Sequence, residues 1–261
     1  GEGGGQVLRT ALTLSILTKQ PIEIVNIRAN RKKSGLLRQH LTSVMAAKAI
    51  CDATTDGVEL GSNRIRFSPG KVKPGDYRFA IGTAGSTVLV CQTILPVLAL
   101  ADAESRVTFE GGTHNGMSPS LCFLEHSYLP VLQQMGISCQ IEKSRLGFYP
   151  AGGGEWQIKV KPVSSFSGLN LLEPGNAFSE TPGNCRLNAL VSRLPVTIGE
   201  REVKTARRAL NWSESAGTVA EVDTPGPGNS FQLHITGDSH TSLFEVVGEL
   251  GTSAERVAKR C

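Results

Sequence analysis

A Gly-rich element, Gly1-Glu2-Gly3-Gly4-Gly5-Gln6, opens directly into a helix-patterned stretch, and a second, Gly82-Thr83-Ala84-Gly85-Ser86-Thr87, does the same about 80 residues later. This recurrence constrains the fold more than any other feature, because it marks an internal repeat and places two glycine-lined helix starts in one molecule. Glycines let backbone approach an anion closely, and the amides and dipole of a helix N-terminus favour negative charge. Read that way, the two elements form a phosphate-handling surface. Read more plainly they are helix-start turns, and the glycines alone do not decide between the two.

The repeat can be followed in register. In the first copy, Val7 to Leu17 has apolar residues at helical spacing, Pro21 to Ala29 reads as a strand, Leu36 to Ala53 as a helix, and Gly57 to Phe67 and Tyr77 to Ile81 as strands. In the second, a helix from Gly85 to Leu100 precedes a strand Arg106 to Glu110, a helix Ser120 to Met135, and strands Ser138 to Leu146 and Trp156 to Val160. Both copies read α-β-α-β-β, and units of this size bury their sheet faces by packing side by side. The fold class is α/β (α+β).

Residues 162 to 184 carry Ser, Gly, Asn and prolines and read as a boundary. Beyond it come a strand Arg186 to Leu194, a helix Arg201 to Leu210, strands Thr218 to Asp223 and Ser230 to Thr236 around the turn Pro225-Gly226-Pro227-Gly228-Asn229, and a strand Leu243 to Gly248. We expect a small α/β unit here, with Trp212 and Phe231 in its core rather than serving as a base-stacking platform. Thr252-Ser253-Ala254-Glu255 has the form of a capping box and announces a further helix. Because no strand leads into Gly1 and the last helix is short, the chain is expected to be a fragment cut at both ends.

No apolar run approaches the roughly 20 residues of a membrane span. The six cysteines form no C-x-x-C pair and are expected to be buried thiols, which suits the cytoplasm. The net charge of +4 is a weak pointer to nucleic acid, but its placement is informative. Arg28, Arg31, Lys32, Lys33 and Arg38 cluster beside the first Gly-rich element, whereas the matching stretch of the second copy, Gly111-Gly112-Thr113-His114-Asn115, is nearly uncharged. The cluster is either a solvated basic turn or a recruiter of phosphates. His40 and His114 could each face such a site, though a structural histidine is the default. Glu2 would oppose an anion unless it holds a divalent cation that bridges to phosphate. The phosphate-loop, nucleophile-elbow and metal-helix motifs are absent from the sequence.

Several of these segments match one family in order. Gly1 to Gln6, Ile27-Arg28-Ala29-Asn30-Arg31 with Gly35-Leu36-Leu37-Arg38-Gln39-His40, Asp76 to Gly82 with Gln92, Gly111 to Asn115, and Gly147-Phe148-Tyr149-Pro150-Ala151-Gly152-Gly153-Gly154 together resemble the RNA 3'-terminal phosphate cyclases. The resemblance implies a large domain of three related repeats with a small domain inserted before the third. Residues 1–173 would then supply two repeats and 174–261 the insert, with the third repeat following Cys261. It also implies ATP-dependent conversion of an RNA 3'-phosphate to a 2',3'-cyclic phosphodiester through a covalent enzyme–AMP intermediate on a histidine. Carried over by motif, Arg9, Arg28, Arg31 and Gln39 would hold phosphates, Gln92 and Pro119 would bind ATP, and Glu2 would bind magnesium or manganese. The nucleophilic histidine would lie beyond Cys261, so this chain alone is expected to be catalytically silent.

Two departures from the family pattern stand out. Ser34 replaces the usual proline before Gly35, and Gly116-Met117-Ser118-Pro119-Ser120 lacks an acidic residue that members usually carry there. The other reading is a non-catalytic cyclase-like factor that binds RNA and protein in ribosome biogenesis. The metal-binding position of Glu2 and the arginine pair favour the enzyme. A carbohydrate-type transferase with a similar repeated fold shares architecture only.

Overall fold

The computed structural model describes residues 4–172 and 184–261. Helix α1 (Gly5–Thr18) buries Leu8, Leu12 and Ile16, one stripe at four-residue spacing. Strand β1 (Ile22–Ile24), helix α2 (Arg38–Cys51) and strands β2 (Thr54–Asp56) and β3 (Ile65–Ser68) complete the first unit, whose antiparallel sheet has the order β1-β3-β2. Ile65 and Phe67 of β3 point into the core while Arg66 and Ser68 face out, the period-two alternation of a half-buried strand.

The second unit begins one strand earlier than its sequence pattern suggests. Strand β4 (Asp76–Ala80) pairs in parallel with β5 (Ser105–Gly111), and the crossover between them is helix α3 (Thr87–Ala99). The stretch Tyr77 to Ile81, expected to close the first copy, therefore opens the second. Its place is fixed by a tertiary partner that the local pattern does not name. After β5 come α4 (Leu121–Phe123), a π-helical turn (Leu124–Tyr128), α5 (Leu129–Gln134), β6 (Cys139–Arg145) and β7 (Gly154–Val160). The sheet order is β4-β5-β7-β6, so β5-β7-β6 repeats the β1-β3-β2 arrangement. The expected single helix from Ser120 is thus broken by the π-helical turn.

Two other expectations need correction. The first strand spans three residues rather than Pro21 to Ala29, because Asn26 and Arg28 adopt left-handed backbone (φ 56° each) and turn the chain. The strand expected from Gly57 starts only at Ile65, and Thr54–Asp56 forms a short strand that was not expected. One apolar core joins both units, with α1, α2 and α3 packed on one another and α3 buried along most of its length. Trp156 stacks on Phe109 with ring centroids 4.6 Å apart.

A third sheet, with order β11-β10-β8-β9, is built from β8 (Cys185–Ser192), β9 (Gly217–Glu221), β10 (Gly228–Thr236) and β11 (Thr241–Val247). Helix α6 (Thr197–Leu210) crosses over between the parallel strands β8 and β9, and α7 (Ala254–Arg260) packs on α6. Leu187, Val203, Phe231 and Val257 form a separate core. Ser253 caps α7 by accepting from the Arg256 amide at 3.3 Å, so the cap sits one residue later than a box headed by Thr252. Glu255 instead forms a bidentate pair with Arg201, at 2.8 and 2.7 Å. The Pro225–Asn229 turn lies against the Gly147–Gly154 segment: a side chain at Gly228 would collide with the Phe148 ring, and one at Gly226 with Ala151.

Glu202 of α6 is fully buried; Asn229 Nδ2 donates to its Oε2 at 2.9 Å and its Oε1 has no partner among the described residues. Burial pushes its carboxyl up to about 7 from the ordinary 4.5, against the lowering effect of the Asn229 hydrogen bond. The folded state therefore holds this proton more tightly than the unfolded chain. That contribution is complete below pH 4.5 and is lost as pH rises through about 7. Glu202→Gln removes the charge altogether. It should raise the thermal midpoint by roughly 2–4 °C at pH 8 and leave it nearly unchanged at pH 4. Circular dichroism melts at the two pH values check this, and an equal shift at both would show that ionisation is not the cause.

Candidate phosphate site

The starts of three long helices converge. Helix α1 opens on Gly4 and Gly5 with no side-chain cap among the described residues. A side chain at Gly5 would collide with Nε2 of His40 and lie 3.0 Å from Arg9 Nη1, so only glycine lets the first turn of α2 approach this closely. His40 is nearly buried, and its Nδ1 accepts from the Leu37 amide at 3.3 Å, tying off the start of α2. One residue earlier, Gln39 Oε1 accepts from the Ser86 amide at 2.7 Å and joins α2 to the cap of α3. Arg38 Nη1 lies 3.9 Å from the position a Gly82 side chain would occupy.

Guanidinium groups surround this junction. Arg9 is 7% exposed; its Nη2 donates to Gln6 Oε1 at 3.0 Å, and its Nε is buried with no hydrogen-bond partner among the described residues. Arg28 donates to the carbonyls of Lys33 and, at 3.3 Å, Gly35. Burial lowers the pKa of both arginines, and for Arg28 the nearby Arg31 charge adds to the effect. Among the described residues no carboxylate pairs with Arg9 or Arg28. Burial first, and then the charges of Arg28 and Arg9, hold His40 at about 4. The result is a neutral imidazole beside Arg9 and Arg28, with which no carboxylate among the described residues pairs, at a helix start without a side-chain cap among those residues, an arrangement that favours an anion.

The second Gly-rich element differs. Thr87, at the start of α3, donates to the Gly112 carbonyl through both its amide (3.0 Å) and its hydroxyl (2.8 Å). The Gly112 amide returns a bond to Gly85 O at 2.9 Å. Ser86 Oγ accepts from Leu89 N at 3.3 Å. A side chain at Gly112 would collide with the Ala84 carbonyl, and one at Gly152 would come within 2.8 Å of Ala84 Cα. The glycines of the 111–115 and 147–154 motifs thus serve close backbone packing, and at the α3 start the Ser86, Thr87 and Leu89 amides are already hydrogen-bonded. The two Gly-rich elements therefore differ: among the described residues no side chain caps α1, whereas most of the first amides of α3 are hydrogen-bonded.

The remaining candidates are spread more widely. Gln92, on α3, has a buried Oε1 with no partner among the described residues. Pro119 lines a separate cavity of about 210 Å³ with Ser118, Ser120, Phe123, Leu243 and Glu245. His114 is fully buried away from the arginines: its Nδ1 meets Thr113 Oγ1 at 2.8 Å and its Nε2 faces Glu245 of β11 at 3.5 Å. Glu245 in turn accepts from Gln232 Nε2 at 2.9 Å. This seam between the second and third sheets was not expected from the sequence, and no local signal marks it. Glu2 lies outside the described residues. Among those residues no group of three or more His, Cys, Asp or Glu side chains could hold a metal ion, and no helix is long and apolar enough to cross a membrane.

The sequence model of the RNA 3'-terminal phosphate cyclase family matches residues 1–249. The RNA 3'-terminal phosphate cyclase of Koribacter versatilis is 45% identical over 260 residues, covering 99% of this chain and 72% of that protein. The one from Salmonella typhimurium is 48% identical over 260 residues, covering 100% of this chain and 75% of that protein. Matched along nearly its whole length, the chain belongs to the RNA 3'-terminal phosphate cyclase family.

Proposed function

We propose that this chain carries the phosphate-binding part of an enzyme that converts an RNA 3'-terminal phosphate to a 2',3'-cyclic phosphodiester, using ATP. The observation that carries this reading is the cluster of Arg9, Arg28 and neutral His40 at the start of α1. Its orphaned donor, Arg9 Nε, fits a phosphate oxygen, and the orphaned acceptor, Gln92 Oε1, fits a hydroxyl or amino donor of ATP. The names of the relatives favour the cyclase over a non-catalytic factor in ribosome biogenesis.

In this reading bound ATP supplies the electrophilic phosphorus. Arg9, Arg28 and Arg31 neutralise phosphate charge, which is most of what a protein contributes to phosphoryl transfer. Gln39 positions the Ser86 cap and keeps α2 and α3 in register. His40 is a positioning residue: its Nδ1 accepts from the Leu37 amide, and its ring stands so close to Gly5 that only glycine fits there. Pro119 offers its ring to the adenine face, and Glu2 would hold a divalent metal. The nucleophilic histidine is assigned to none of the five present.

The decisive experiment is ATP-dependent cyclisation of a 3'-phosphorylated oligonucleotide by the full-length gene product. Replacing Arg28 and Arg31 together with Ala should lower the affinity for ATP or RNA phosphate at least tenfold, about 1.4 kcal/mol. Unchanged affinity and turnover for both substrates would remove the arginines from the site.

A second outcome concerns His40. Its folded pKa of about 4 lies below the ordinary 6.5, so its contribution to stability is present above pH 6.5 and is lost as pH falls through about 4. NMR titration should find the ring neutral at pH 6, and Arg28→Ala or saturating pyrophosphate should each raise its pKa. An ordinary histidine titration that neither perturbation moves would sink the electrostatic account.

A further inference from the structure

A cavity of about 520 Å³ opens between α6, the segment that follows it and strand β9. Lys204, Arg207 and Arg208 supply cations to it, and Val203, Val219 and the Trp212 indole supply apolar wall. Phe231 is fully buried as expected for core, but Trp212 is only partly buried and lines this space. The aromatic residue read as core is therefore also a surface.

Arg207 shows that the cavity is more than a solvated helix end. Its side chain is 25% exposed, and its Nη2 pairs at 3.2 Å with Glu214, whose own side chain is 93% exposed. Its Nε is buried and lacks a hydrogen-bond partner among the described residues. Gly217 makes room for it, since a side chain there would reach 3.4 Å from Arg207 Cδ and collide with Val203. Cations in a last turn complement the helix carbonyls. That accounts for the charge of Arg207 and Arg208, but not for the orphaned donor or the adjoining indole. Two carboxylates also line the cavity, Glu214, which is engaged by Arg207, and Glu200, exposed in the first turn of α6.

We propose that this cavity is an accessory site for single-stranded RNA, with a base stacked on Trp212 and the flanking phosphate held by Lys204, Arg207 and Arg208. Stacking on an aromatic face beside a cationic track is how proteins hold single strands without reading their sequence. An acidic peptide would satisfy the cations but leave the indole unused. The inference rests on the reading that the protein acts on RNA. It adds a contact remote from the reacting end, which would hold the body of the strand while its 3'-end reaches the arginine site.

The chain carries two tryptophans, and Trp156 is fully buried, so a ligand-induced fluorescence change reports on Trp212. The chain is titrated at low salt with an oligouridylate ending in a 3'-hydroxyl, which lacks the phosphate used in the reaction. We expect saturable quenching that weakens with salt. Lys204→Glu with Arg208→Glu, both exposed and checked for folding by circular dichroism, should weaken binding by about fivefold or more. Arg28→Ala should leave this binding unchanged. Absence of quenching, equal affinity in the double variant, or equal competition by polyglutamate would overturn the site. Loss of binding in Arg28→Ala alone would place the RNA at the arginine cluster instead. If the double variant binds RNA normally while the full-length enzyme cyclises, this inference falls and the assigned reaction stands. If quenching and its loss in the double variant appear without cyclisation, the site stands and the reaction falls.

Discussion

The contact on which the rest of the structure depends is the one between Gly112 and the first residue of α3. The Gly112 carbonyl accepts both the amide and the hydroxyl of Thr87, and the same hydroxyl accepts from Trp156 Nε1 at 2.8 Å. One fully buried threonine thereby joins α3, the end of β5 and the aromatic core of the second sheet. Because α3 packs on α1 and α2, its placement sets theirs. The Gln39–Ser86 bond then carries the alignment to α2, and the Gly5–His40 approach carries it to α1. The geometry of the arginine site is inherited from a node that holds no charge. Buried polar groups with every bond made rigidify a core in this way, whereas half-satisfied ones would loosen it.

Much of this was legible because the relevant physics is local. The four-residue stripe of Leu8, Leu12 and Ile16 announces α1, and the alternation of Trp156, Ile158 and Val160 announces β7. The basic turn at Arg28 and Arg31 is visible as charge, and the fold keeps the two close enough for one to depress the other. What was not legible depends on partners far along the chain. Nothing in Asp76–Ala80 says that its neighbour is β5 rather than β3, and a non-glycine residue such as Arg28 gives no notice of a positive φ. The pairing of His114 with Glu245 is a meeting of distant segments, and each residue alone reads as an ordinary polar side chain. Trp212 packs on the core as expected, and its place beside a cavity was not legible for a related reason: an indole can pack one face on a core and offer the other to a cavity.

The two repeats show how one architecture can host a site in one copy and a joint in the other. Both present a Gly-rich entry to a long helix, and both follow it with the same strand order. In the second copy the Gly112 carbonyl, the Gln39 side chain and the Ser86 hydroxyl engage the Thr87, Ser86 and Leu89 amides at the entry. In the first copy no side chain among the described residues caps α1, and guanidinium groups crowd its start. Helix-end partial charge alone is worth a fraction of a kcal/mol to about 2 kcal/mol, too little to gather a polyphosphate. Charge-assisted bonds from partly desolvated arginines provide the larger share, and they do so only where burial keeps water from screening them. The near-absence of charge in Gly111–Asn115 is therefore what the joint requires: a buried cation there would need an anion of its own, and the backbone packed against the start of α3 could not close around it.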